Sequence, residues 1–74
     1  MSQTAHRDEA VFYEIRVRGV LDENWSEWLG GLEIRPLENG DTVLAGPVRD
    51  QSALHGLLNK IRDLGMPLLY VKRA

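Results

Sequence analysis

Ser52, His55 and Asn59 recur at three- and four-residue spacing, which on a helix places them along one polar side. A histidine titrates near neutrality, so His55 is a candidate general base or pH-sensitive contact. Acid–base catalysis also needs a partner that orients the imidazole, usually a carboxylate. Position 51 is Gln and position 59 is Asn, so the neighbouring turns supply none. His55 and Asn59 are therefore read first as surface or interface residues. A hydrolase or isomerase using His55 with an arginine is the minor reading.

Other chemistry-bearing types assemble less well. There is no cysteine, and the second histidine, His6, sits in a polar N-terminal stretch far from His55. That pattern predicts no metal site. Asp22, Glu23 and Glu27 read more simply as a solvated helix face than as carboxylate ligands. The glycines never gather into a phosphate-cradling loop, and no nucleophile motif appears. No catalytic residue, cofactor or metal ligand is assigned.

Arg16, Arg18, Arg35, Lys72 and Arg73 could gather on one sheet face and receive an anion, an acidic partner or RNA. An RNA-binding sheet interleaves exposed aromatics to stack bases, and only Phe12 is placed to do so. Eleven acidic residues against nine basic ones leave a formal charge of −2, the opposite of a phosphate-neutralising surface. Nucleic acid is not the expected partner. Arginines paired across strands with Glu14 and Glu33 are the plainer alternative.

Trp25 and Trp28 each carry on the order of 200 Å² of surface, much for a small chain to leave in water. The first reading puts both in the core; the second leaves one ring at an interface or ligand groove.

The elements that must position these groups are short. Residues 1–10 read as a mobile tail and residues 11–74 as one domain. Val11, Tyr13, Ile15 and Val17 alternate with Phe12, Glu14, Arg16 and Arg18, as in a strand with one apolar face. Asp22 can cap a helix carrying a ridge of Leu21, Trp25, Trp28 and Leu29, which Gly30-Gly31 would end. Residues 32–37 read as a second strand, held to a sheet edge by Pro36. Asn39-Gly40 predicts a type I′ hairpin, and residues 42–48 the returning strand.

The clearest element is residues 50–67, DQSALHGLLNKIRDLGMP. Asp50 caps it, Leu54, Leu57, Leu58, Ile61 and Leu64 form one stripe, and Gly65 with Pro67 stops it. Gly56 is anomalous, because glycine inside a helix costs about 1 kcal/mol relative to alanine. With Ala53 it makes a small patch. Close approach of another helix, either the first helix or one from a partner chain, would explain it, and plain tolerance is the alternative. Residues 68–72 supply a last apolar strand.

The expected fold is α+β: a ferredoxin-like split βαβ (βαββαβ), with two helices on one face of a four-stranded antiparallel sheet ordered 4-1-3-2. Its open face would carry Phe12, Glu14, Arg16 and Arg18, with either Thr42, Leu44 and Gly46 or Val43 and Ala45.

With YEIRVRG, the paired tryptophans and GPVRDQSALHGLLNKIRDLGMPLL in view, the chain resembles a group of small uncharacterised bacterial proteins. The resemblance runs from about Tyr13 to Val71, and the string D-Q-x-A-L-H-G-L-L at residues 50–58 is its distinctive part. It implies a stand-alone βαββαβ protein and brings no activity. Acylphosphatases, by contrast, need G-x-V-Q-G-V-x-F-R, of which VRGVL at residues 17–21 is only an echo. Metal-carrying ferredoxin-like domains need a C-x-x-C that is absent.

A core this small usually needs help, and without disulfides the common remedy is oligomerisation. The leading expectation is a non-enzymatic interaction or regulatory module that forms a homodimer and engages another protein. Its candidate interaction residues are Phe12, Arg16, Arg18, Trp25, Trp28, His55 and Asn59. The alternative is a small-ligand, metabolite-sensing domain of ACT-like type. The absence of an apolar signal core or a membrane-length run sets the expected location in the cytoplasm, away from membranes.

Overall fold

The computed structural model describes residues 10–74. The expected tail, His6 included, lies outside the described residues except for Ala10. The elements are β1 (Val11–Val17), a 3₁₀ turn (Glu23–Trp25), β2 (Glu33–Pro36), β3 (Thr42–Val48), the helix α1 (Gln51–Asp63) and β4 (Leu68–Arg73). The four strands form one antiparallel sheet in the order β2-β3-β1-β4. From the other edge this reads 4-1-3-2, so β1 and β3 are central and Pro36 lies in an edge strand, as its missing N–H requires.

α1 forms where the caps and stripe demand it. Asp50 is extended, and its Oδ1 accepts the Ala53 N–H at 2.8 Å. Leu54, Leu57 and Ile61 are buried, while Leu58 and Leu64 are half-buried against the core. Gly65, with φ +76°, ends the helix two residues before Pro67. No helix among the described residues is long and apolar enough to cross a membrane.

The second expected helix does not form. Residues 22–31 make a single 3₁₀ turn capped by Asp22, whose Oδ1 accepts the Asn24 N–H at 2.9 Å. One further loop follows, in which the Leu29 N–H bonds the Trp25 carbonyl at 3.0 Å and the Gly31 N–H bonds that of Ser26 at 2.8 Å. Gly30 and Gly31 then turn left-handed, with φ +82° and +81°. So short a segment is marginal as an isolated helix, and Asn, Trp and Ser are middling helix formers. The expected ridge divides accordingly. Leu21 and Leu29 are buried, whereas Trp25 and Trp28 are 41% and 40% exposed, which corrects their placement in the core.

The hairpin differs too. Asn39 does not take positive φ; only Gly40 does, at +93°, so the turn is not type I′. The chain instead loops through residues 37–41. The Leu37 N–H bonds the Asp41 carbonyl at 2.8 Å, and the Asn39 Oδ1 accepts the Asp41 N–H at 3.1 Å. An Asx-type bond lets asparagine turn the chain without the left-handed conformation.

Beneath α1, the sheet contributes Tyr13, Ile15 and Val17 from β1 and Leu44 and Val48 from β3, joined by Leu21, Leu29, Leu32 and Ile34. Two residues seat the first crossover on this core. Thr42, fully buried, donates its hydroxyl to the Gly19 carbonyl at 2.6 Å and accepts the Leu21 N–H at 3.2 Å. Leu32 lies directly over Gly46, where a Cβ would stand 2.6 Å from its Cδ2.

Candidate interaction surfaces

Strand register decides what the open face of the sheet holds. Phe12, Glu14 and Arg16 lie opposite Pro47, Ala45 and Val43 of β3. Of the two sets considered for β3, Val43 and Ala45 are therefore the ones on this face. On the other side, Glu14 faces Lys72 and Arg16 faces Tyr70 of β4. Arg73 lies opposite Tyr13 and so belongs to the core-side face, apart from the other cations.

Most polar groups on this face satisfy one another. The Arg16 guanidinium donates to Asp41 Oδ2 through Nε at 3.2 Å and Nη2 at 3.0 Å, and Asn39 Nδ2 reaches the same oxygen at 3.1 Å. Tyr70 Oη donates to Glu14 Oε2 at 2.6 Å, with Lys72 Nζ at 3.8 Å. Arg35 pairs with Glu33 two residues away on its own strand at 3.0 Å, rather than across strands. The Tyr70 hydroxyl holds the Glu14 carboxyl below its ordinary range, and the same bond raises the tyrosine. Partial burial pushes Asp41 up, but the Arg16 and Asn39 bonds outweigh it and the carboxyl ends low. Arg18 is exposed, its backbone N–H bound to the Pro67 carbonyl at 2.9 Å. Phe12 is exposed at the far end of the face.

The two sheet edges contrast. β2 is four residues long, ends in Pro36 and carries the Glu33–Arg35 pair. β4 has six residues and no proline, and its first two, Leu68 and Leu69, are 47% and 38% exposed. Its outer edge is unpaired within the described sheet.

The third surface lies beside α1, on the face of the sheet that α1 covers. A groove of about 550 Å³ runs between the first crossover and α1. Leu29, Gly30 and Leu32 form one wall, Ala53, Gly56 and Lys60 the other, and Arg49 stands at one end. A Cβ on Gly56 would meet nothing within 4 Å, so among the described residues no first helix packs against it, and of the two helices considered the one from the same chain is ruled out. Trp25 and Trp28 stack edge-to-face, 5.3 Å between centroids, on the outer side of this crossover. Lys60 binds the crossover to α1: Nζ donates to the Trp28 carbonyl at 2.8 Å and sits 5.2 Å from the Trp28 ring centroid.

His55 is exposed and lines neither this groove nor a second one at the C-terminal end of α1, which Asn59 borders. The candidate interaction residues thus fall into three groups: Phe12 and Arg16 on β1 with Arg18 just beyond its end, the two indoles on the crossover, and His55 with Asn59 on the exposed side of α1.

The family described as a domain of unknown function, DUF8691, matches residues 12–72. The chain belongs to this family. No curated protein matches the chain, and no solved structure does. The DUF8691 region takes in the whole sheet except Val11 and Arg73, together with α1 and every lining residue of the groove except Ala10. Sequence reasoning missed Arg49, Lys60 and Tyr70 within it. Lys60 was accessible through its spacing, since it follows Ala53 and Gly56 along one helix flank. Tyr70 depended on the register between β1 and β4, which no local pattern encodes.

Proposed function

We propose that the protein is a cytoplasmic, non-enzymatic interaction module that forms a homodimer through β4. The contrast between the sheet edges carries this reading. A short, charged edge strand ending in proline is a protected edge, whereas a longer one with exposed leucines and free main-chain groups invites another strand. Antiparallel pairing of β4 with its copy about a two-fold axis would join the two sheets. It would also set Lys72 and Arg73 of each strand beside the mate's Leu68 and Leu69, keeping like charges apart. The rest of the surface is then free for a second protein, and the net negative charge with a self-paired open face argues for a protein rather than nucleic acid. For the fold, a ferredoxin-like parentage with a turn in place of the first helix is supported by the antiparallel neighbours of β1.

Sedimentation equilibrium from micromolar to millimolar concentration tests the proposal. A concentration-dependent dimer is expected, dissociated by Leu69→Lys and unaffected by Phe12→Lys. A monomer at every concentration contradicts it, and dissociation by Phe12→Lys alone transfers the interface to the open face. The groove beside Gly56 favours a second reading, a module that holds a small metabolite. Saturable ligand-dependent thermal stabilisation supports that reading, and a flat response across anionic, neutral and cationic metabolites counts against it.

A further inference from the structure

We infer that the groove beside Gly56 binds a small amphipathic carboxylate, its apolar body against Leu32, Val48 and Leu57 and its carboxylate between Arg49 and Lys60. The inference rests on the small-ligand reading and is independent of self-association.

Gly56 is the starting point. It sits inside α1, does not adopt positive φ, and faces open space where a Cβ would be. Neither backbone conformation nor contact within the described chain requires glycine there, although glycine is among the poorest residues for a helix interior. Any larger side chain at this position would project into the groove. Gly56, with Ala53 one turn earlier, keeps that space clear.

The size and lining of the space set the ligand. About 550 Å³ lies within the range of small-molecule sites, which pair an apolar body with a few placed polar groups. Among the described residues the lining holds two cations and no carboxylate. Arg49 makes no ion pair among the described residues. Lys60 uses one of its three N–H groups on the Trp28 carbonyl, which fixes the ammonium at the rim with donors to spare. A cationic ligand would leave that charge unanswered, whereas a carboxylate answers it with charge-assisted hydrogen bonds. Trp28 does not line the groove, but its ring centroid lies 5.2 Å from Lys60 Nζ, so an anion held by Lys60 changes the surroundings of an intrinsic fluorophore.

Titration of the full chain with decanoate, followed by calorimetry and indole emission, tests the inference, with decyltrimethylammonium as the cationic counterpart. Decanoate should bind saturably, at least tenfold more tightly than the cation. Arg49→Gln should weaken it about tenfold. Gly56→Leu should abolish binding without lowering the thermal midpoint, and Gly56→Ala should retain it; Ala53→Leu blocks the same flank should Gly56→Leu fail to fold. Binding of neither amphiphile overturns the small-ligand reading itself. Equal binding of both overturns the assignment to anions alone. Undiminished decanoate binding in a folded Gly56→Leu or Ala53→Leu variant places the ligand elsewhere and overturns the site.

Discussion

The chain crosses the same face of its sheet twice, through residues 18–32 and again through residues 49–67, and the two crossings solve one problem differently. The second has a cap, a long stripe of leucine and isoleucine, a left-handed glycine and a proline stop, and it is a helix. The first has a cap and two glycines, yet between them it makes only a 3₁₀ turn and a loop. Both bury apolar side chains in one core: Leu54, Leu57 and Ile61 from one, Leu21, Leu29 and Leu32 from the other. Hydrogen bonds from Thr42, Ser26 and Lys60 take over for the first crossing what a helix does for its own backbone. The shorter solution leaves the flank of α1 uncovered, and Gly56 faces that space.

The largest test of this contrast is whether the irregular crossing is as firmly docked as the helix. Leu29 and Ile61 are both 1% exposed. Leu29→Ala and Ile61→Ala should each destabilise by about 2–5 kcal/mol in urea unfolding. A near-neutral Leu29→Ala would mean that the first crossing is loosely attached. Thr42→Val keeps the shape but strands the Gly19 carbonyl and the Leu21 N–H, and should cost about 1–3 kcal/mol.

Two glycines sharpen the comparison further, because they should respond with opposite sign. At Gly46 a methyl group collides with buried Leu32, so Gly46→Ala should lose about 1–3 kcal/mol. At Gly56 the methyl group enters open space on a helix, so Gly56→Ala should gain about 0.5–1 kcal/mol. Thermal midpoints of the pair read the difference directly, and a shared sign would break it.

The smallest effect belongs to the open face. Glu14 and Asp41 have carboxyls lowered in the folded state, so their contribution is complete above the ordinary carboxylate range and lost as pH falls through the lowered values. Stability should therefore decline as pH falls from the ordinary carboxylate range through the lowered values. Tyr70→Phe removes the bond that depresses Glu14, and should make this decline shallower. An unchanged pH profile would detach Tyr70 from the carboxylate. Tyr70 itself is raised, so its contribution is complete below the ordinary tyrosine range and lost as pH rises beyond it.

How much of this was legible in the sequence follows from how local each cause is. For α1, cap, stripe and stop all lie within the continuous stretch of residues 50–67, and the structure places each as read. Alternation in β1 placed Tyr13, Ile15 and Val17 on the core side, and Pro36 marked the edge. Spacing was a poorer guide at residues 21–29. It indicates which side chains would share a face if a helix persisted, not whether so short a segment persists as one. Gly46 was equally opaque, since its need for glycine comes from Leu32, brought over it by the fold. The pairing of Glu14 with Tyr70, 56 residues apart, depends on strand register alone.

Backbone ¹³Cα chemical shifts in solution test the unequal crossings most directly. Continuous helical shifts should extend across Gln51–Asp63 and be absent as a continuous run from residue 22 to residue 30, with both indole N–H signals exchanging readily with water. An unbroken helical run through Trp25 and Trp28, with protected indoles, would contradict the account and close the groove on which its ligand site depends.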